Sequence, residues 1–313
     1  MLAPLRSLTS IALSVLALAA CSSGSTKPEA SATSPGELSG SKELLAYDWS
    51  VEPGVETYFC VYQTLKEDVW ISAFSPMEPP GTHHVVLGFN DPGPPDGAIS
   101  SEDAAAQPRC SGVQLSQNMT YFGGVGAGAL TMPAGVAVKI PAGKQLFLGL
   151  HLFNTGVTPL TGRSGMKILS PDPATVLHEA EAIAAGKVEG LLVPPGNSTQ
   201  TGVCTMTDDV TAFAVAPHMH LAGVHNTTTV TTTVGAPGAV TPMFDGDYTF
   251  NDQPYVPLDP PLVLHKNDVV NVECDYANTG ASALTFGEST HNEMCFTFIY
   301  RYPKIATTPV CVN

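Results

Sequence analysis

Apolar residues come in short runs along this chain and almost nowhere at helical spacing. Stretches 69–74, 84–89, 145–153, 210–215, 227–234, 269–276 and 294–300 are rich in β-branched, leucine or aromatic side chains and have strand length. Pro, Gly and Asn separate them, and the chain holds 27 Pro and 29 Gly. This punctuation predicts an all-β protein of antiparallel sandwich or jelly-roll type. Residues 176–186 are the exception: His178, Glu179, Glu181 and several alanines predict one short helix there.

Two stretches repeat each other's pattern. Residues 140–156 and 264–280 both run turn, apolar strand, then Asn-Thr-Gly. Upstream, Cys60 leads to Ala73-Phe74 and His83-His84, as Cys204 leads to Ala212-Phe213 and His218-Met219-His220. Such a repeat predicts two tandem sandwiches, 42–175 and 176–313, parted near the Ser170-Pro171-Asp172-Pro173 break.

The N-terminus reads as a targeting segment. Arg6 precedes an apolar run over 8–20 that is too short to span a bilayer and has the length of a signal core. It ends in Leu18-Ala19-Ala20-Cys21, a lipobox pattern. The expectation is a signal peptide over 1–20, lipidation of Cys21, and a flexible Ser/Gly/Pro-rich tether over 21–41. The protein would then sit in a bacterial cell envelope, held to the membrane by lipid alone. Ser22 after the cysteine favours the outer membrane.

Charge narrows the partners. Lys and Arg total 13 against 28 Asp and Glu, a net −15. That balance argues against nucleic acid or an anionic membrane surface. Setting Cys21 aside, six cysteines remain: 60, 110, 204, 274, 295 and 311. An even number in an exported chain predicts disulfides, with the pairing left open by composition. None forms a Cys-x-x-Cys pair, which argues against a zinc ribbon or a thioredoxin motif.

Five of the nine histidines fall in three compact motifs: His83-His84, His151, and His218-x-His220. Two histidines at i and i+2 share a strand face, the spacing a β-sheet metal site needs. His83 and His84 would point to opposite faces of a regular strand, so both reach one metal only at a strand start or bulge. Met294 shares its strand face with Phe296, Phe298 and Tyr300. Taken singly, His151 and Met294 read as core residues. Taken together, five imidazoles and one thioether suit copper, because the thioether favours Cu(I).

These motifs resemble the copper type II ascorbate-dependent monooxygenases, the group of peptidylglycine α-hydroxylating and dopamine β-monooxygenases. The carrying residues are Glu56-Thr-Tyr-Phe-Cys60, Thr82-His83-His84-Val85, Leu150-His151-Leu-Phe-Asn154, Pro217-His218-Met219-His220-Leu-Ala-Gly223 and Ser289-Thr290-His291-Asn292-Glu293-Met294-Cys295. They occur in family order over about residues 43–303. The resemblance implies two jelly-roll-like sandwiches with a solvent-filled copper cleft between them. It implies one electron-transfer copper on His83, His84 and His151, and one catalytic copper on His218, His220 and Met294. It implies the pairs Cys60–Cys110, Cys204–Cys311 and Cys274–Cys295. The implied activity is hydroxylation of a substrate C–H bond with O₂ and a one-electron reductant such as ascorbate. A non-catalytic copper-binding lipoprotein, for sequestration or delivery, is the alternative.

The chain departs from the peptidylglycine branch. Ala216 stands where that branch has an arginine, and Phe296 and Phe298 stand where it has Asn and Tyr. Peptide amidation is therefore not expected, and the substrate is left as a small molecule or peptide of unassigned identity. His291 is a candidate donor behind the Met motif, while His225 and His265 read as lone surface residues.

Overall fold

The computed structural model describes residues 38–101, 118–124, 126–287, 289–305 and 310–313. The expected signal segment, Cys21, nearly all of the tether, and Cys110 lie outside the described residues. Among the described residues the structure is all β, with one helical turn at Pro173–Thr175. No helix among them is long and apolar enough to cross a membrane.

Sixteen strands carry the architecture. The first eight are β1 (Lys42–Val51), β2 (Glu56–Thr64), β3 (Ala73–Met77), β4 (Thr82–Asn90), β5 (Asn118–Gly124), β6 (Leu130–Thr131), β7 (Gln145–Phe153) and β8 (Leu160–Leu169). They form two sheets, β1-β8-β3-β6 and β2-β7-β4-β5, with Gly97–Ser101 added beside β2. The next eight are β9 (Glu181–Lys187), β10 (Gly196–Thr205), β11 (Val210–His218), β12 (Gly223–Thr231), β13 (Val240–Asp247), β14 (Val256–Leu264), β15 (Val269–Asn278) and β16 (Cys295–Tyr302). Their sheets are β9-β16-β11-β14 and β10-β15-β12-β13, with Val310–Val312 parallel to β9. Subtracting eight from each label of the second set reproduces the strand order of the first. Both sets follow the double Greek key of a jelly roll.

The repeat extends to single hydrogen bonds. Asn154 follows β7; its amide donates to Val51 O and Thr158 O at 2.9 Å each, and its Oδ1 accepts from Gly156 N. Asn278 ends β15 and does the same with Val193 O, Ser282 O and Gly280 N. Each Asn-Thr-Gly is a buried side-chain turn that closes a strand onto its neighbour.

The helix expected over 176–186 does not form. His178–Glu179 pairs with the strand Val136–Ile140, and β9 takes up Glu181–Lys187. β9 lies between β16 and Val310–Val312, so its backbone bonds are made on both edges. Its small side chains face two cores at once: Ala182 and Ala184 in one, Ile183 and Ala185 in the other. Burial on both faces outweighs the local helical propensity of the alanines.

β16 and β11 alternate in the same way. Phe296, Phe298, Tyr300, Ala214 and Ala216 join the core that includes the first sandwich, while Ile299, Cys295, Ala212 and Val215 join the core of the second. One sheet is thus a wall shared by two cores. Two disulfides pin the second sandwich, Cys204–Cys311 and Cys274–Cys295, as the resemblance implied. Cys60 is disulfide-bonded as well, and its expected partner is outside the described residues.

Candidate metal centre

The first histidine set is built by a bulge. Across β4 and β7, His151 faces His84 and Leu152 faces Thr82, so His83 is an extra residue without a partner. The bulge lets adjacent histidines turn toward one point. His83, His84 and His151 each offer a nitrogen, and these atoms lie within 4.8 Å of one another. His151 is oriented by β2. Glu56 Oε1 lies 2.6 Å from its Nε2, and Tyr58 stacks on its ring at 4.3 Å. The hydrogen bond from His151, the largest influence on Glu56, holds that carboxyl below its usual range. An ionised carboxylate only accepts, so His151 carries its proton on Nε2 and its lone pair on Nδ1. That Nδ1 is 3.3 Å from His84 Nδ1.

The second set is built at the end of β11. His218 is the last strand residue and faces Phe296 on β16. Continuing that register by two places sets His220 opposite Met294. Glu293 fixes this corner. Its buried carboxylate accepts from His220 N at 2.9 Å, Ala222 N at 2.7 Å and Met294 N at 3.3 Å. Burial pushes the Glu293 carboxyl up to about 7, against the pull of those three N–H groups. Tyr276 Oη donates to Met294 O at 2.7 Å, and the Cys274–Cys295 bridge joins the same two strands. Met294 is fully buried.

The imidazoles of this set are oriented too. Gln253 Oε1 lies 2.9 Å from His218 Nδ1, and Asn292 O lies 3.2 Å from His220 Nδ1. A carbonyl only accepts, so His220 presents its lone pair at Nε2. Burial lowers His218 to about 3, and His83 and His220 to about 4. Burial also drives His84 well below its ordinary value. All four are neutral at neutral pH, the state a metal requires.

The two sets meet. His84 and His218 have ring centroids 6.4 Å apart, and Phe122 touches both, at 5.6 and 4.4 Å. Phe250 packs on His83 at 4.5 Å, His84 at 5.6 Å and His220 at 6.3 Å. Phe298 stacks on Phe122 at 5.1 Å. Aromatic rings thus line the place where the resemblance implied a solvent-filled cleft, and His83 and His84 stay half-exposed there. Phe298, on the outer face of the shared wall, supplies the second sandwich's ring against Phe122.

The donor set fits copper. His83 Nδ1, His84 Nε2 and His218 Nε2 are buried and have no hydrogen-bond partner. Buried polar atoms left unpaired at three neighbouring imidazoles are costly unless a cation takes their lone pairs. Imidazole nitrogens are copper donors, and a thioether such as that of Met294 would favour Cu(I). Of the other histidines, His225 bonds Asp245 and Asp247, His265 lies 3.6 Å from Asp268, and His291 is exposed. None of these joins either set.

Residues 179–313 match the profile of the copper type II ascorbate-dependent monooxygenase, C-terminal domain. Over that portion the chain is similar to the C-terminal domain of the copper type II ascorbate-dependent monooxygenases. It is similar to DBH-like monooxygenase protein 1 of Gallus gallus, 26% identical over 212 residues, or 61% of this chain and 34% of the relative. The mouse (Mus musculus) protein 1 gives 26% over 207 residues, 59% of this chain and 33% of the relative. DBH-like monooxygenase protein 2 of Mus musculus is 40% identical over 62 residues, 20% of this chain and 10% of its own. The match thus spans about a third of the protein 1 relatives.

Sequence reading overlooked four residues that shape the site. Glu56 and Glu293 stand inside the motifs quoted above; Glu293 adjoins Met294, whereas Glu56 is far in sequence from every ligand candidate. Gln253 and Phe250 come from an irregular segment whose spacing to the histidines carries no pattern.

Proposed function

We propose that this chain is a copper monooxygenase that hydroxylates a substrate C–H bond with O₂ and a one-electron, ascorbate-like reductant. The observation that carries it is the pair of imidazole sets that meet between the sandwiches, with His83, His84, His218 and His220 kept neutral by desolvation. His83, His84 and His151 would hold one copper, and His218, His220 and Met294 the other. Bound copper would supply the redox chemistry that no side chain here provides. The chain's own part is to fix the donors: Glu56 holds the proton of His151 on Nε2, and Glu293 ties the backbones of His220 and Met294 together. Phe122 and Phe250 pack against imidazoles of both sets.

The close contact of the two sets favours a second reading, a copper-binding protein without turnover. Copper stoichiometry of residues 22–313, followed by O₂ consumption with reductant and candidate substrates, separates the two. Two coppers with substrate-dependent O₂ uptake support the enzyme. Two coppers with no uptake support binding alone. One copper or none refutes both-site occupancy.

The remaining proposals concern place. Cys21 would be lipidated after removal of 1–20, anchoring the protein to a bacterial membrane, the outer one on the residue that follows. Mass spectrometry of the mature N-terminus tests this; an unmodified Cys21 would remove the anchor.

A further inference from the structure

We propose that Gln253 is a positioning residue that sets which nitrogen of His218 presents its lone pair, and that couples this choice to the contact between the sandwiches. The inference rests on the reading of His218 as a copper ligand, but its first test needs no copper.

Gln253 is buried, 4% exposed, and its amide has one allowed orientation. Nε2 lies 2.8 Å from Phe250 O, an atom that only accepts. Nε2 is therefore the NH₂ end, and Oε1 is the end that faces His218 Nδ1 at 2.9 Å. An amide oxygen only accepts, so His218 must carry its proton on Nδ1. The lone pair is left on Nε2, the atom that is buried without a partner. Ligand histidines are commonly held this way, by an acceptor on the far ring nitrogen that fixes tautomer and ring angle.

The other side of the amide is just as constrained. A Cβ on Gly124 would come within 2.7–3.0 Å of the Gln253 side-chain carbon, oxygen and nitrogen. Gly124 belongs to β5 of the first sandwich and is the cross-strand partner of His84. The Gln253 amide is therefore clasped between the strand that flanks one histidine set and a ligand candidate of the other. Phe250, whose carbonyl holds the amide, lays its ring on His83 and His84. The segment from Phe250 to Gln253 thus reads the position of the first set and fixes the tautomer in the second.

The test is ring-nitrogen NMR of metal-free protein labelled with ¹⁵N-histidine, with His218 assigned by His218→Ala. The wild type should show His218 protonated on Nδ1, and Gln253→Leu should shift it to a mixture or to Nε2–H. Cu(I) affinity at that site should fall about 10- to 100-fold in the same variant. Gly124→Ala, which leaves every donor in place but displaces the amide, should give a smaller loss in both readouts. Gln253→Glu keeps an acceptor and should keep Nδ1–H, which covers the case in which the leucine variant fails to fold. A wild-type His218 protonated on Nε2, or a tautomer unmoved by Gln253→Leu, overturns the proposal. A tautomer that moves while neither Gln253→Leu nor His218→Ala alters copper binding leaves the positioning role standing and defeats the ligand reading instead.

Discussion

His84 and His218, from different sandwiches, stand with ring centroids 6.4 Å apart and their planes crossed at 73°. Neither is charged at neutral pH, and burial is the cause in both. This contact makes the candidate metal site a property of both sandwiches rather than of one. It joins the bulge on one jelly roll to the strand end of the other.

Met294→Ile is expected to remove one donor and little else. The two side chains are close in volume, so the core cost should stay below about 1.5 kcal/mol. Copper on the His83/His84/His151 set should be retained, sulfur scattering should vanish from the X-ray absorption of the reduced protein, and hydroxylation should be lost. A variant that hydroxylates normally would show that the thioether is not part of the working site.

Glu293→Gln places an NH₂ group against three backbone donors that now share a carboxylate. Leaving a buried donor unpaired costs about 1–3 kcal/mol. Denaturant midpoints of the metal-free proteins should differ by that amount, and copper retention at the second set should drop. A midpoint within a few tenths of a kcal/mol of wild type would mean the corner is held by the disulfide and Tyr276 instead.

Glu78 gives a pH signature. Its Oε1 is buried without a partner, and burial raises its carboxyl to about 8. The folded state keeps this proton to higher pH than the unfolded state, so the group's contribution is present in acid and is lost as pH rises from about 4.5 to about 8. Glu78→Gln stays neutral throughout. Its stability should match wild type in acid, exceed it increasingly through that window, and level off above it. Thermal melts at stepped pH measure this, and a constant difference across the window would contradict the burial of Glu78.

Asn154→Ala and Asn278→Ala should each destabilise by about 1–3 kcal/mol, because each removes a side chain that satisfies buried backbone groups. The two turns make the same three contacts, so the two losses should be similar. Urea unfolding of both variants checks it. A loss at one site only would break the equivalence of the repeats at the energetic level.

The pattern of short apolar runs was enough to read an all-β sandwich, and the Asn-Thr-Gly repeat pointed to the doubled plan, because both are local signals. The His83 bulge followed from asking how adjacent histidines reach one metal. The 176–186 segment misled because alanine and glutamate speak for helix locally, while its strand is fixed by partners more than a hundred residues away, Arg301 facing Glu181 and Cys295 facing Lys187. Gln253 and Phe250 were out of reach for the related reason that they act through tertiary contacts from irregular backbone. The contact of Phe298 with Phe122 was equally hidden, because a phenylalanine reads the same in a cleft wall and in a core.

The shared wall makes the molecule a single solubility unit despite its doubled plan. A fragment cut near residue 176 would carry Phe296, Phe298, Tyr300, Ala214 and Ala216 to the surface as a continuous greasy face. Such a face promotes aggregation. Efforts to produce one sandwich alone would therefore need that face redesigned with polar residues first, and a deep truncation in the gene would disturb both histidine sets together rather than one.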